Sequence, residues 1–429
     1  MVALTDALRR LQRQVMLRPA LMLLVFNVAA QLISVCVSPL LTRLYTPEQF
    51  GVLGAITAIV MTCVPLASGR YELGIPGARS DAEAYALIRV CLLAIALGVA
   101  AASVLACAAA YAGPTSVSTL LSGRWGFVPI GIACVALYDV LALEASRQNK
   151  LRPLAQSKIS QSLAGVGGQL AFGLSGWTSI GLLLGFVLNQ ATGVGRLYRN
   201  LVAHHPARGP VSWRRIVSTA VEHRRYPLFA SWPQALQSCS KWSLQFAFAL
   251  LWDPTIAGFI FLTDRVVGRP LLLLSSSLLP VYLAELSQAL RSAPGDALRT
   301  FYKTLRRQLA LTVVWTAAVV GLSPWVVGPL FGTVWIAAVP FMQVMTLAIA
   351  PAALLSAVAH TLQITRHQRL DAALSIGSVV VTIAAILGGY LLRRSALETL
   401  IAFAIGQLVF ALCTLYSCRR ILKSVGGES

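Results

Sequence analysis

The chain has 429 residues, of which 57% are hydrophobic and 12% are charged, and its mean hydropathy is +0.73. Soluble domains carry about 25% charged residues, so this composition excludes a soluble globular protein and indicates a polytopic membrane protein. The formal net charge of +20 fits either nucleic-acid binding or basic cytoplasmic loops, and the positions of the basic residues decide between them.

Twelve apolar segments of transmembrane length are found when the chain is read with a window of about 20 residues. They cover approximately residues 20–41, 51–68, 85–112, 126–146, 159–176, 178–196, 228–251, 255–283, 308–330, 338–363, 371–392 and 397–418. Glycines such as Gly165 and Gly173 dilute the fifth and sixth segments. We keep both, because glycine is common where transmembrane helices approach closely. No small-residue cleavage site follows the first segment, so we expect an uncleaved first span.

The basic residues lie mostly on one side of the predicted membrane. With the N-terminus in the cytoplasm, 27 lysines and arginines fall in cytoplasmic segments, against four outside and four within spans. Because positive residues collect in cytoplasmic loops, this bias predicts that both termini are cytoplasmic. It also accounts for most of the net charge, so we expect no nucleic-acid partner.

The longest predicted cytoplasmic loop lies near the middle of the chain. It divides the sequence into an N-terminal six-helix lobe (1–197), a basic connecting loop (198–227) and a C-terminal six-helix lobe (228–429). The predicted outer loops are short, so we expect no extracytoplasmic domain.

Three sequence matches relate the two lobes. The turn Thr46–Gly51 after the first span matches Asp253–Gly258 after the seventh, with proline and glycine both displaced by 207 residues. The other matches pair Trp125 with Trp335, and Arg147–Leu151 with Arg366–Leu370. Since six helices separate equivalent positions, the repeats are parallel, about an axis along the membrane normal. This pattern predicts an all-α transporter with a cavity between two lobes.

Two polar stripes occupy repeat-equivalent spans. The first contains Asn27, Gln31, Ser34 and Ser38, and the second, 207 residues further on, contains Gln234, Ser238, Lys241 and Gln245. Their spacing places each set on one helical face. Either the two faces line a water-filled pathway, with Asn27, Gln31, Gln234 and Gln245 binding substrate, or they form interhelical hydrogen bonds.

Three basic residues, Lys241, Arg265 and Arg269, lie within predicted spans of the second lobe. An ammonium group at mid-span costs roughly 2.5–3.5 kcal/mol on insertion scales, so such a residue needs a water-filled cavity or a partner. Asp264 can neutralise only one of the three. Our hypothesis is that they attract an anionic ligand such as a phosphate or an acidic sugar; the alternative is a set of structural ion pairs.

Charged residues of the first lobe lie toward its predicted cytoplasmic side. We interpret Arg89, Asp139 and Glu144 as a structural ion pair, with a proton-coupling carboxylate as the alternative. Asp139, and Asp264 of the second lobe, are candidate gate or coupling residues.

The sequence lacks the patterns of disulfide, metal and catalytic sites. The eight cysteines lie in or at the ends of the apolar segments without paired spacing, and the five histidines show no metal spacing. We interpret the cysteines as small buried hydrophobic residues and expect neither disulfides nor a metal site. The sequence contains no Walker A motif, no GxSxG elbow and no DxD pair at a loop mouth, so we expect no catalytic residues and no cofactor.

Four segments, in order along the chain, match known motifs. Arg43–Gly51 is similar to an R-x-L-x-P-E-x-[FY]-G turn, although two residues stand here between Leu44 and Pro47. Gly69–Pro76 is similar to a G-R-Y-E-x-A-I segment, with Gly74 where alanine is usual. Two further matches are a basic–aromatic–proline entry at Arg225–Leu228 and an F-G-x-x-W turn at Phe331–Trp335. Together these segments resemble the oligosaccharide flippases of the MOP superfamily, the Wzx-type polysaccharide exporters related to MATE transporters.

This resemblance implies a MATE-like fold of two six-helix lobes. It implies that an undecaprenyl-diphosphate-linked oligosaccharide moves by alternating access from the cytoplasmic to the periplasmic leaflet of the bacterial inner membrane. A proton or sodium gradient is the candidate driving force, and the polysaccharide polymerase and chain-length machinery are candidate partners. Arg70 and Glu72 form either a gate or headgroup contact, or a local salt bridge that fixes their loop.

Two other function classes are compatible with a polytopic membrane protein. A MATE-like exporter of small cations shares the architecture, but a cavity that bears three basic residues repels cations unless acidic partners outnumber them. A membrane-embedded polysaccharide polymerase or glycosyltransferase usually needs a sizeable outer loop with acids or bases, and the predicted outer loops are short.

Overall fold

The computed structural model describes residues 2–202, 212–292, 295–365 and 367–425. Every regular element in these ranges is a helix. The α-helices are α1 (Val2–Leu44), α2 (Pro47–Ser68), α3 (Asp81–Ala112), α4 (Thr115–Leu121), α5 (Phe127–Arg147), α6 (Leu151–Leu174), α7 (Ser179–Val202), α8 (Trp213–Glu222), α9 (Ser231–Leu251), α10 (Pro254–Thr263), α11 (Arg269–Ser276), α12 (Leu279–Ser292), α13 (Asp296–Phe331), α14 (Val339–Val358), α15 (Thr361–Ile364), α16 (Gln368–Leu391) and α17 (Ala396–Val425). The shorter segments Tyr71–Gly77 and Thr333–Ala338 are 3₁₀-helical, and Tyr226–Ala230 and Asp264–Gly268 are π-helical.

All twelve predicted spans coincide with helical segments, which confirms the all-α fold class. Within the described residues, ten helical segments are long and apolar enough to cross a membrane, and each matches a predicted span. The two remaining predicted spans are α6 and α9, which have 24 and 21 residues. At about 1.5 Å per residue both reach across a hydrocarbon core of about 30 Å, but their glycine, serine and glutamine residues lower their hydropathy.

The described chain packs as two compact units whose borders differ from the predicted lobes. Unit 1 comprises Met1–Val37 and Ile56–Ser238, and unit 2 comprises Ser38–Ala55 and Cys239–Ser429. Helices α1, α2 and α9 therefore contribute residues to both units. Residues 203–211 of the predicted connecting loop lie outside the described residues. The division into six-helix lobes at 198–227 stays a prediction, as does the orientation of the termini.

In unit 1, α6 and α7 approach closely through their glycines. A Cβ atom on Gly165 would overlap the side chain of Asn189, and one on Gly185 would overlap that of Gln169. The Asn189 amide donates to the carbonyl oxygen of Gln161 at 2.9 Å. The predicted close approach is therefore confirmed at Gly165 and Gly168, whereas a Cβ atom on Gly167 or Gly176 would meet open space.

In unit 2, an aromatic cluster links the start of α2 to α10 and to the segment before α14. The ring centroids of Phe50 and Trp335 lie 5.3 Å apart, and those of Phe259 and Trp335 lie 6.0 Å apart. The Trp335 indole is 1% exposed and donates its N–H to the carbonyl oxygen of Thr42 at 3.0 Å. The family-like segments Arg43–Gly51 and Phe331–Trp335 are thus parts of one packed structure.

The starts of α2 and α10 cross at two glycines of unit 2. A Cβ atom on Gly51 would overlap the carbonyl oxygen of Pro254, and one on Gly258 would overlap that of Pro47. These four residues are the proline and glycine pairs of the sequence repeat. The contact is therefore reciprocal, as at an interface with two-fold symmetry, and it supports the repeat at this turn. The match at Arg366–Leu370 includes Arg366, which lies outside the described residues.

Candidate functional site

The three basic residues predicted within spans of the second lobe all lie in unit 2. Two of them, Lys241 and Arg269, lie close to Trp242, which was not predicted from the sequence. The Lys241 ammonium nitrogen lies 5.7 Å from the Trp242 ring centroid, and the Arg269 guanidinium carbon lies 5.9 Å from the same centroid. Both distances allow a cation–π interaction. Arg265 is 5% exposed, whereas Arg269 is half-buried and Lys241 is exposed. We call Lys241, Trp242, Asp264, Arg265 and Arg269 the basic–aromatic site.

The π-helical segment Asp264–Gly268 explains how this site neutralises part of its charge. A π-turn brings residues five positions apart into line, and the Arg269 guanidinium accordingly donates to the Asp264 carboxylate at 2.9 Å. Arg265 lies close enough to Arg269 for the two positive charges to repel each other. The four ionisable side chains of the site thus carry three positive charges against one negative charge.

The residues of the two polar stripes are divided between the units. Asn27 is exposed and Gln31 is half-buried on α1, and Gln234, also of unit 1, donates to Gln237 at 3.4 Å. Gln245 of unit 2 is 3% exposed. Among the described residues, Gln31 Nε2 and Gln245 Oε1 are buried without a hydrogen-bond partner. Since buried polar groups are normally hydrogen-bonded, these atoms can accommodate a ligand or water. A pathway lined by both stripes stays a prediction.

A second cluster forms in unit 1, where the chain turns after α2. Gly69 and Arg70 adopt positive φ angles of 60° and 56°, a conformation that is uncommon for a residue other than glycine. This turn leads into the 3₁₀ segment and directs Glu72 inward, where it is 1% exposed. The Ser68 hydroxyl donates to the Glu72 carboxylate at 3.3 Å, and the Arg70 guanidinium lies 3.5 Å from it. The local salt bridge considered from the sequence is therefore present.

The cost of burying the Glu72 carboxylate is only partly offset by its neighbours. Burial raises its pKa, and its backbone hydrogen bond, Arg70 and Ser68 offset that effect in part. Its second oxygen, Oε2, has no hydrogen-bond partner among the described residues. The half-buried Asp139 interacts electrostatically with Glu72, Lys158 and Arg70. We call Arg70, Glu72, Asp139 and Lys158 the acidic site.

The predicted ion pair of Arg89 with Asp139 and Glu144 is wrong in its partners. Glu144 pairs with Arg147 at 2.8 Å, because the two lie one turn apart on α5. Arg147 also reaches Asp81 at 2.8 Å, whereas Arg89 is exposed. The spacing of Glu144 and Arg147 was the sequence signal for this pair.

Replacing Glu72 by glutamine is expected to make the stability of the protein less dependent on pH. The pKa of Glu72 is raised in the folded state, so the folded protein binds the proton more tightly than the unfolded chain does. The wild type therefore loses stability as pH rises from the usual glutamate pKa to the folded-state pKa of Glu72. Glu72→Gln should therefore gain thermal stability over wild type at neutral pH and lose that gain as pH falls. Glu48→Gln, at an exposed carboxyl, is the matched control; the same profile for both variants would contradict this expectation.

Comparison with known sequences identifies the family of this chain. Residues 40–340 match the family described as "Polysaccharide biosynthesis protein". The chain belongs to this family. A search of curated proteins finds no match.

Solved structures share the fold over nearly the whole chain. An inward-facing MATE family multidrug resistance transporter of the MOP superfamily has a TM-score of 0.68 and 14% identity, covering 95% of this chain and 96% of that chain. The lipid II flippase MurJ, in an inward closed conformation, has a TM-score of 0.69 and 10% identity, covering 96% of this chain and 90% of that chain. The MATE multidrug transporter DinF-BH has a TM-score of 0.61 and 14% identity, covering 95% of this chain and 97% of that chain.

These comparisons confirm the predicted MATE-like fold class and the predicted family. The structural neighbours are membrane transporters and a flippase, and this chain shares their fold. Its fold and its ten helical segments of membrane-crossing length, counted over the described residues, are those of a multi-pass membrane protein.

Proposed function

We propose that this protein of the polysaccharide biosynthesis family moves an oligosaccharide linked to undecaprenyl diphosphate across the bacterial inner membrane by alternating access. The glycan lipid would pass from the cytoplasmic to the periplasmic leaflet and supply O-antigen, capsule or exopolysaccharide synthesis. Both termini would be cytoplasmic, and the polymerase and chain-length machinery would take up the product. The family match to polysaccharide biosynthesis and the shared fold with a lipid II flippase support this proposal.

The observation that carries the proposal is the excess positive charge of the basic–aromatic site. Its single carboxylate, Asp264, pairs with Arg269, so the charge of the site as a whole stays positive. A guanidinium and an ammonium near the same indole ring are suited to a diphosphate, because charge-assisted hydrogen bonds to phosphate are strong and arginine can bind it in a bidentate manner. The Trp242 ring beside Lys241 and Arg269 offers an apolar surface for a sugar ring. The proposed contacts to glycan hydroxyls remain Asn27, Gln31, Gln234 and Gln245.

A MATE-like exporter of small cations is the second candidate, and the shared fold favours it equally. The charge of the basic–aromatic site argues against it. A net positive site in a low-dielectric environment repels a cationic ligand. The two candidates therefore differ in the sign of the charge that the site accepts.

Ligands of different charge are expected to stabilise the purified protein to different extents. Undecaprenyl diphosphate carrying a glycan should raise the thermal unfolding temperature, because a ligand that binds only the folded state stabilises it. A glycan on uncharged undecaprenol should have a smaller effect, and a lipophilic cation should have none. Stabilisation by the cation but not by the diphosphate would contradict the proposed substrate and favour the exporter.

We further propose that a proton gradient drives transport through the acidic site. Glu72 is buried beside Arg70 and has one oxygen without a partner among the described residues, and Asp139 is a second carboxyl in its field. When the positive groups nearby only partly neutralise two neighbouring carboxylates, binding of one proton by the pair is favoured. Asp264, in contrast, is held by Arg269, and we assign it to the substrate site.

Substitution at the acidic site is expected to uncouple transport from the proton gradient. Glu72→Gln and Asp139→Asn mimic the protonated carboxyls and should abolish the acceleration by an imposed proton gradient, measured as initial transfer rates in proteoliposomes. Glu285→Gln, at a carboxyl paired with Lys303 outside this site, is the control. A full gradient response in Glu72→Gln, or a response of wild type to sodium alone, would contradict proton coupling at this site.

A further inference from the structure

Helix α8 presents three faces, and only one of them contacts the described part of the protein. The face that packs toward α3 is formed by Ile216, Thr219, Ala220 and His223. The Tyr71 hydroxyl donates to the Ala220 carbonyl oxygen at 3.4 Å, and His223 lies 3.8 Å from the Glu83 carboxylate. This docking fixes the rotation of α8 about its own axis within unit 1.

The second face of α8 is apolar and exposed. Trp213, Val217 and Val221 are 62%, 44% and 56% exposed. Their spacing of four residues aligns them in one stripe along the helix. The third face is polar and is formed by Arg214, Arg215, Ser218 and Glu222.

The charge around the apolar stripe is strongly positive. Residues 213–225 contain four arginines and one glutamate. A short helix with an exposed apolar stripe beside arginines is typical of helices that lie in the interface of a bilayer with anionic lipids. Tryptophan at the end of such a stripe is also characteristic of the membrane interface.

The exposed apolar surface continues from α8 into the next helical segment. Leu228, Trp232 and Leu236 are 59%, 66% and 43% exposed and are again spaced four residues apart. They belong to the start of the seventh predicted span, where the chain enters the membrane. The stripe on α8 is therefore followed by a second exposed apolar stripe, on the predicted cytoplasmic side.

We propose that α8 is an interfacial helix whose apolar stripe inserts into the cytoplasmic leaflet while its arginines bind the phosphate groups of anionic phospholipids. Arg214 and Arg215 lie on the helix, and Arg224 and Arg225 follow it directly. The partner is the bulk anionic lipid of the membrane, which distinguishes this site from the basic–aromatic site of unit 2.

Binding of lipid at α8 has a structural consequence for the acidic site. The hydroxyl of Tyr71, the residue before Glu72, is bonded to α8. Tyr226 and Pro227, which follow α8, lie beside Gly74 and Gly69 on either side of Glu72 in the sequence. A lipid-bound α8 therefore braces the turn that holds Glu72 in place.

The test uses the full chain in nanodiscs of phosphatidylcholine with and without phosphatidylglycerol. Phosphatidylglycerol is expected to raise the thermal unfolding temperature of wild type, and Arg214→Gln with Arg215→Gln should lose about half of that shift or more. The matched control is Arg306→Gln with Arg307→Gln, an exposed arginine pair on α13 with the same loss of charge. An undiminished shift in the first variant, or an equal loss in the control, would overturn the lipid site.

A second readout does not depend on the arginine variants. The chain contains nine tryptophans, so the Trp213 signal is taken as the fluorescence difference between wild type and Trp213→Phe. Lipids brominated on their acyl chains should quench this difference signal strongly. Absence of quenching would place Trp213 outside the bilayer and would overturn the insertion of α8.

Discussion

Gly51→Ala and Gly258→Ala are each expected to lower the free energy of unfolding by about 3 kcal/mol. The added methyl group would overlap a backbone carbonyl oxygen, that of Pro254 or of Pro47. A backbone carbonyl cannot rotate away as a flexible side chain can, so α2 and α10 must separate. Their separation loosens the packing of Phe50 against Trp335, and interiors of native density tolerate such shifts poorly. Thermal unfolding of the purified variants measures the loss.

A glycine without close neighbours provides the control for this prediction. Gly321 lies within α13 of the same unit, and a Cβ atom there meets open space. Gly321→Ala should be neutral or slightly stabilising, because alanine favours the helix. Since Gly51 and Gly258 form one reciprocal contact, the double variant should lose less than the sum of the single losses. Wild-type stability of either single variant would contradict the close crossing.

The combined variant Lys241→Gln and Arg269→Gln is expected to bind the diphosphate-linked glycan about 100-fold more weakly than wild type, or worse. Each charge-assisted hydrogen bond to phosphate contributes roughly 1.5–3 kcal/mol, so two lost bonds have at least this effect. Equilibrium binding to the purified protein measures the change. The control is Lys303→Gln on α13, which removes a lysine that pairs with Glu285 outside the site.

Asp264→Asn separates substrate binding from a purely structural ion pair. Loss of the carboxylate releases Arg269 and adds positive charge, so the variant should bind the diphosphate at least as tightly as wild type. If the pair were only structural, Asp264→Asn and Arg269→Gln would lose similar amounts of stability and neither would change ligand affinity. That result would remove these residues from the binding site.

The helical segments could be predicted from the sequence because hydrocarbon requires long apolar helices whose backbone groups are bonded internally. The crossing at Gly51 and Gly258 was visible only as a repeat of proline and glycine. The division of the eighth span into α10, a π-helical turn, α11 and α12 was not predicted, because a π-turn depends on tertiary packing and has no periodic signal in the sequence.

The candidate sites were predicted in part, for an identifiable reason. Lys241, Arg265 and Arg269 stand out because charge within hydrocarbon is costly. Trp242 does not, since an aromatic residue in an apolar span has no distinguishing pattern until the fold places two cations beside it. The burial of Glu72 depends on the left-handed conformation of Arg70, which the neighbouring residues do not dictate.

The most direct measurement is leaflet transfer of a fluorescent glycan on undecaprenyl diphosphate in proteoliposomes, with proton and sodium gradients applied separately. We expect wild type to transfer this lipid, with acceleration by the proton gradient, and Lys241→Gln with Arg269→Gln to lose transfer at a matched amount of folded protein. Failure of folded wild type to move the glycan lipid under either gradient, together with transport of a lipophilic cation, would contradict the proposed flippase function.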